Sequence, residues 1–470
     1  MQKANEDKLW SIILWSIFAG IMALLWLHSH YRWFSHDEFE HIHTSWKMLQ
    51  GQRIYVDFFQ HHHPFLSYML VPVISIFGET TASIFAARNL IFIILCAILA
   101  VTYLITLRIF GNREIGVISI ILTSSFAAFY GEAIEVRPDV PQALAGLLSI
   151  YYLFVYYEKR SRWSLALSAI FLAISFLFLQ KAIALIVAMG FLFLYDLYVK
   201  RLSIKDALFF AGVFILTLLP YYTYLLLSGA LEQYFVMNWT LNIHIRQTQG
   251  HSKYYLLVEI LRENIITCML FLMGLVMLLR SGKARQLAIL SLLLIVTVLL
   301  LYKNLWKQYF MFIVPLAGVI AGYALYSVFQ TRVSRLIVIL FAIYMPLGLM
   351  HDFSSVIQNR SFETEWQSEQ LDKINYVLSL TEENDKIYDG NIKINLFRDD
   401  IDYFWFCVAP DDCLDVYRNI AGYEYDIYEL ISEHKPKVVN TFAIDNLDDP
   451  RIKKHYRKSD RYDDVLIRVD

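Results

Sequence analysis

The chain has 470 residues, 57% hydrophobic and 18% charged, whereas soluble domains carry about 25% charged residues. The formal net charge of −2 says nothing about partners, and no nucleic-acid partner is expected. The apolar excess comes in long runs before residue 350, while 351–470 reads like soluble protein; this excludes a wholly water-soluble chain and predicts a mostly α, polytopic membrane protein with a small soluble tail.

From the N-terminus, MQKANEDK leads straight into an apolar run, Leu9 to Leu27, long enough to cross a bilayer at about 20 residues. No small-residue cleavage site follows it, so it reads as an uncleaved first helix. Further spanning helices are expected at 83–107, 114–130, 140–157, 163–179, 182–199, 207–227, 256–279, 286–302, 308–328 and 336–350, eleven with the first. The apolar run 64–77 is too short to span and reads as a helix lying on the membrane surface.

Positive charge supports this count. With the N-terminus inside, the inner loops carry Arg108 and Arg113; Lys159, Arg160 and Arg162; Lys200, Arg201 and Lys205; Arg280, Lys283 and Arg285; Arg332 and Arg335. Every inner loop is then basic, as the positive-inside rule requires. The expectation is a multi-pass protein of the cell (inner) membrane, N-terminus cytoplasmic, with a domain over 1–350 whose outer loops are 29–82 and 228–255. A second, extracytoplasmic α/β domain covers 351–470. Strands are expected at KIYDG, KVVNTF and DVLIRV and helices at 363–380 and 424–434. An outer tail places Cys407 and Cys413 in an oxidising compartment, where they are expected to pair. Cys96 and Cys268 sit in apolar runs, and no pair has zinc-finger spacing.

The first outer loop is the richest stretch, YRWFSHDEFEHIHTSWKMLQGQRIYVDFFQHHHPFL. Ser35 and Glu38 form a capping-box pattern; Phe39, Ile42, Trp46 and Leu49 repeat at helical spacing; Gly51 is a stop. The helix is expected to lie along the outer interface. Asp37 and Glu38 fall in its first turn, where the dipole keeps carboxylates ionised; an ionised carboxylate either caps the helix or serves as a base toward a hydroxyl. In the run His61, His62, His63, alternate side chains share a side if the chain is extended, which leaves open a metal or hydrogen bonds to a phosphate or sugar. Outer helix ends carry Arg88, Glu132, Glu135, Arg137, Asp139, Lys181, Glu259, Arg262, Glu263, Lys303 and Lys307. Together with the acidic loop they indicate a polar cavity opening outward.

In order along the chain stand the acidic pair Asp37-Glu38, an amphipathic helix, G-Q-R-I-Y-x-D-F-F, H-H-P before a short apolar run, A-A-R-N-L, R-P-D at 137–139 and K-Q-Y-F-x-x-x-x-P at 307–315. This order, over roughly residues 9–350, resembles the GT-C superfamily of membrane glycosyltransferases, with the nearest likeness to protein O-mannosyltransferases and the lipid A aminoarabinose transferase. The resemblance implies transfer of a sugar from a polyprenyl-phosphate carrier to a glycolipid, polysaccharide or protein acceptor outside the membrane, with inversion. Asp37 matches the family's first-loop catalytic base and Asp139 its second acid. His63 stands where aminoarabinose transferases often have lysine, and His62 where a divalent metal ligand occurs. Nucleotide sugars are not expected outside the cell, so an outward site needs a lipid-linked donor, whose phosphate needs cations: Arg88, Arg137, Lys181 and Lys307, with His63 and Tyr309 beside them. Membrane lipids are the remaining partners. The rival reading is a secondary transporter of a lipid-linked or anionic substrate, but ionisable groups here gather at helix ends and no internal repeat is visible.

Overall fold

The computed structural model describes residues 2–248, 251–282, 284–328, 332–358, 367–409, 412–442 and 444–469. Helix α1 (Gln2–Tyr31) is followed by α2 (His36–Leu49), α3 (Phe65–Phe77), α4 (Thr81–Phe110), α5 (Arg113–Ser124), α6 (Ala127–Glu132), α7 (Asp139–Lys159), α8 (Arg162–Phe178), α9 (Ile183–Tyr198) and α10 (Ile204–Leu227). Later helices include Lys253–Glu263, Ile265–Ser281, Arg285–Leu301, Ile313–Val328, Arg332–Tyr344 and Leu347–Ile357. Every segment predicted to span is largely helical. Six helices among the described residues are long and apolar enough to cross a membrane, or up to seven if Lys253–Glu263 and Ile265–Ser281, bent by 97° at Asn264, make one span. Others fall short: Arg162–Phe178, Arg285–Leu301 and Ile313–Val328 are shorter apolar helices, and the span expected at 114–130 breaks between α5 and α6. The protein is a multi-pass membrane protein.

Helices pack closely where small residues allow it. A Cβ added at Gly318 would collide with the Thr123 hydroxyl, and one at Gly322 with the Ser119 hydroxyl, so the helix Ile313–Val328 lies directly against α5. Such close approach through small residues is a common source of helix association in lipid.

Helix α2 starts where the pattern predicts. Ser35 is the extended N-cap residue, the Glu38 carboxylate accepts its backbone N–H at 3.0 Å, and Gly51 takes φ +86° beyond the C-terminus. The position of α2 differs from expectation. Residues Glu38 to Lys47 are all buried, so the helix is enclosed rather than lying along an interface. Phe39, Ile42 and Trp46 pack inward, each contributing about 1.5–3 kcal/mol by burial. Its polar side is covered by the tail: His43 Nε2 and Lys47 Nζ lie 2.9 and 2.7 Å from Asp400 Oδ2, and His43 Nδ1 is 3.0 Å from the Leu396 carbonyl. The α3 helix packs on α2, α4 and α8, burying Leu66, Leu70 and Ile74 while Ile76 and Phe77 stay exposed.

The tail is α/β. Its five-stranded sheet runs in the order Asp399–Asp400, Lys386–Tyr388, Val438–Asn440, Val465–Arg468, Tyr456–Lys458. The first three strands are parallel and the rest antiparallel. The three predicted strand motifs form its centre, and Gln367–Leu380 and Ile427–His434 are the predicted helices. Residues 363–366 of the first lie outside the described residues.

Helix directions separate two ends. The basic loops join the C-terminus of α4 to α5, of α7 to α8, of α9 to α10 and of Ile265–Ser281 to Arg285–Leu301, whereas Arg32, Asp139 and Lys181 stand at the opposite ends of their helices. By the positive-inside rule, a reporter fused within the tail is expected to read extracytoplasmic and one at Lys159 cytoplasmic. A cytoplasmic tail in that fusion assay would overturn the expected sidedness.

Candidate active site

Where α1, α2, α7 and α9 converge beneath the tail, the chain encloses a cavity of about 840 Å³. Arg32, Asp37, His61, His62, Glu135, Arg137, Lys181, Lys307 and Tyr309 are among its lining residues. The first turn of α2 presents Asp37; the loop before α7 presents Glu135 and Arg137; the single 3-10 turn before α9 presents Lys181; another, Lys307–Phe310, presents Tyr309.

Charge alternates around this cavity. Arg137 Nη1 lies 2.6 Å from Asp37 Oδ2 and 3.5 Å from Glu135 Oε2, while its Nε faces Asp139 Oδ2 at 3.6 Å. Lys181 Nζ donates to Asp139 Oδ1 at 3.1 Å and sits 4.2 Å from the centre of the Tyr309 ring. Arg32 pairs with Glu135 at 2.9 Å, and Lys307 with Glu259 and Glu263 at 3.1 and 3.0 Å. Arg137 Nε is buried and makes no hydrogen bond among the described residues, its approach to Asp139 being an ion pair at 3.6 Å, so a small shift or an entering acceptor is needed to satisfy it fully.

These neighbours set the proton affinities. Burial by itself would raise the Asp37 carboxyl, but the Arg137 guanidinium outweighs it, with the nearby histidines adding to the effect when charged, and holds the carboxyl well below the usual carboxylate range. Asp37 is 36% exposed at its side chain, toward the cavity it lines. Burial raises Glu135 to about 7, Arg32 and Arg137 opposing it and Glu132 and Glu38 reinforcing it. Burial pushes His62 down to about 3 and His41 to about 4, so both imidazoles are neutral at physiological pH.

Glu38 has a different place from Asp37. It is fully buried and meets Arg88 in a two-pronged pair at 2.8 and 2.7 Å. The remaining Arg88 donors go to the carbonyls of Ser29, Arg32 and Trp33, and Glu38 Oε2 also accepts the Val136 N–H at 3.1 Å. The expectation that Arg88 binds a donor fails on this geometry: Arg88 is 1% exposed and every N–H is already committed. His63 is corrected likewise. Its Nδ1 is 2.7 Å from the Phe176 carbonyl and its Nε2 2.9 Å from the Tyr234 hydroxyl, both buried away from the cavity. Among the nominated donor-binding groups, Arg137, Lys181, Lys307 and Tyr309 line the cavity.

Two groups of side chains have metal-ligating chemistry. The ligand atoms of Glu40, His41 and His62 lie within 4.8 Å of one another, with His62 Nδ1 at 2.9 Å from Glu40 Oε1. Two neutral imidazoles and a carboxylate suit a divalent cation such as zinc. The other group, His61 with Cys407 and Cys413, is not a ligand set, because those cysteines are bonded to each other. Their pairing agrees with the expectation from sequence, and mass spectrometry of unreduced protein is expected to find neither thiol free.

The tail's share of the cavity has no signature in the sequence. Gln370 exchanges both amide groups with the Phe34 backbone at 2.8 and 2.9 Å, and Lys393 reaches the lining from a loop held by three backbone N–H bonds to the buried Asp389 carboxylate. No local pattern marks these residues, since what places them is tail docking. Arg32 was also missed, although a cation just beyond the first span is a readable signal.

Residues 61–226 match the family model described as dolichyl-phosphate-mannose-protein mannosyltransferase. No curated protein matches the chain. Among solved structures, ArnT from Cupriavidus metallidurans bound to undecaprenyl phosphate is similar at 13% identity and TM-score 0.63, over 87% of this chain and 88% of that one. Its apo state is similar at 12% identity and TM-score 0.64, over 92% and 93%. The archaeal oligosaccharyltransferase AglB from Archaeoglobus fulgidus, in complex with an inhibitory peptide and a dolichol-phosphate, is similar at 12% identity and TM-score 0.58, over 92% and 69%. The chain is a polytopic membrane protein, similar in fold to ArnT and AglB.

Proposed function

We propose that the chain is a glycosyltransferase that moves a sugar from a polyprenyl-phosphate carrier to an acceptor hydroxyl at the outer face of the membrane, inverting the anomeric centre, with Asp37 as base. The observation that carries this reading is the Arg137 guanidinium, bonded to Asp37 on one side and facing Asp139 at 3.6 Å on the other with a buried Nε that makes no hydrogen bond among the described residues. It joins a phosphate-binding cation to a carboxylate base. Polyprenyl phosphates, the lipids bound to the ArnT and AglB structures, are the carrier class proposed.

The chemistry follows from this arrangement. The acceptor oxygen attacks the anomeric carbon, the bond from that carbon to the phosphate oxygen breaks, and the lipid phosphate leaves with the bonding electrons. The hydroxyl proton passes to the Asp37 carboxylate. Arg137 and Lys181 stabilise the departing phosphate, an electrostatic contribution that a preorganised site makes large. Entry of the phosphate shares the Arg137 charge and so loosens its hold on Asp37, which raises the basicity of the carboxylate when substrate is bound. Asp139, paired with both cations, keeps them in place. Glu40, His41 and His62 are the residues that would hold a divalent cation, whose charge would add Lewis-acid stabilisation of phosphate. The sugar transferred and the orientation of the chain belong to this same reading.

Arg137→Ala and Lys181→Ala are expected each to weaken undecaprenyl phosphate binding by about 10- to 100-fold, the worth of one hydrogen bond to a charged group at about 1.5–3 kcal/mol. Thermal melting on the same samples monitors folding. Unchanged affinity in both folded variants would reduce these cations to partners of Asp37 and Asp139.

A further inference from the structure

Asp37 borders a second cavity, of about 240 Å³, on the side toward the tail. The two cavities differ in charge. Arg32, Arg137, Lys181, Lys307 and Lys393 line the larger one beside the acids Asp37, Glu132, Glu135 and Glu259. The smaller is lined by the carboxylates Asp37 and Asp412, by Glu40, whose carboxyl meets His62, by His36, His61, Asn242 and Asn391, and by the Phe406 ring, with no lysine or arginine among its described lining residues. A phosphate group finds cations to pair with only in the first, and in the second it meets carboxylates with no lysine or arginine to offset them, a like-charge contact that selects against it.

We propose that the small cavity is the acceptor subsite and that it takes one sugar residue of a carbohydrate acceptor, neutral or cationic and without phosphate at that residue. This rests on the glycosyltransferase reading and deepens it by naming an acceptor class. Hydroxyl groups of a sugar donate to carboxylates and exchange hydrogen bonds with amides. Asn242 Nδ2 already donates to the His61 carbonyl at 2.7 Å, which leaves its oxygen for the ligand. The Phe406 ring, 5.5 Å from His61 between ring centres, offers an apolar face for the C–H side of a pyranose. The volume falls below the range of about 300–1,000 Å³ usual for whole small-molecule ligands, so one ring enters and the rest of the acceptor stays outside. Asp37 alone among the acids borders both the larger cavity and this one, which places the base between leaving group and nucleophile. The Cys407–Cys413 bond holds the tail's contribution to this wall.

The test uses the full chain in nanodiscs and saturation-transfer NMR with methyl α-glucoside, glucosamine, glucuronate and a serine tripeptide amide as probes, alongside titration with undecaprenyl phosphate. Methyl α-glucoside and glucosamine are expected to take up saturation and glucuronate to take up none. Asn391→Trp, which fills the cavity, is expected to abolish both signals while leaving undecaprenyl phosphate affinity unchanged. Asn391→Lys is expected to reverse the preference, losing glucosamine and gaining glucuronate; this arm decides if the tryptophan variant does not fold. Glucuronate binding as well as the neutral probe, binding of the peptide alone, or no carbohydrate signal in the wild type would each overturn the assignment. Failure of the wild type to bind undecaprenyl phosphate would instead sink the glycosyltransferase reading, since the carbohydrate probes report on the small cavity independently.

Discussion

Asp37→Asn is expected to give a folded protein that binds undecaprenyl phosphate and transfers almost no sugar, a loss of about 10²–10⁴-fold, the usual worth of general base catalysis. The amide keeps the shape of the side chain and remains a good residue near a helix N-terminus, so α2 stays in place. It cannot take the proton of an attacking hydroxyl. It also no longer neutralises Arg137, now 2.6 Å from the carboxylate, so lipid-phosphate affinity should hold or rise. The pH profile supplies a second, independent readout. In the free protein the Asp37 carboxyl lies well below the usual range, so its ionised form persists far into acid, and kcat/KM should show no acid limb from this group near neutrality. In the donor complex the phosphate shares Arg137 and the carboxyl rises toward its ordinary value of about 3.9; the acid limb of kcat should therefore lie at higher pH than that of kcat/KM. Near-full transfer by Asp37→Asn, with a folded Glu38→Gln inactive, would move the base by one residue. Activity in both would remove the reaction from this loop.

The parts of this arrangement that were legible in sequence share a physical basis. Apolar runs, basic loops and the β-branched strands KVVNTF and DVLIRV are short-range patterns, and each yields helices or strands where expected. Asp37, Arg137, Asp139, Lys181 and Lys307 were legible as polar groups at helix ends, a costly position for them unless they serve a purpose; Asp37, Arg137, Lys181 and Lys307 line one cavity, and Asp139 is buried against two of these cations. Glu38 and Arg88 look the same in sequence, an acid beside Asp37 and a cation on the next long helix. Their pairing across 50 residues is a tertiary fact, and it removes both from the cavity. The three consecutive histidines likewise divide by backbone direction: His61 and His62 line the cavity while His63 points to Phe176 and Tyr234. Burial of α2 was hidden because its polar face, which reads as solvent-exposed, is satisfied by Asp400 and the Leu396 carbonyl of a distant segment.

Arg88→Ala is expected to be among the most destabilising single substitutions in the chain, at about 3–5 kcal/mol, the usual cost of removing one partner of a buried ion pair. The loss has three components. Glu38 is left as a fully buried carboxylate whose remaining donors are the Ser35 and Val136 N–H groups. The carbonyls of Ser29, Arg32 and Trp33, which Arg88 now serves at 2.6 to 2.8 Å, lose their donor where α1 hands over to α2. The Phe34 ring loses the guanidinium that lies 4.0 Å from its centre. Because Glu38 neighbours Asp37 and binds the residue before Arg137, this clamp fixes the spacing of Asp37 from Arg137, so on the proposed mechanism surviving folded protein should also transfer slowly. Arg88→Lys should rescue little, since one ammonium cannot reproduce a planar fork that meets a carboxylate and three carbonyls. Glu38→Gln should be milder than Arg88→Ala, because the amide keeps one acceptor oxygen and leaves Arg88 its three carbonyl partners. The pair is coupled, so the double variant Arg88→Ala/Glu38→Gln should be less unstable than the sum of the singles. Thermal melting in detergent decides this: an Arg88→Ala variant that melts with the wild type would show that the clamp contributes nothing to the fold.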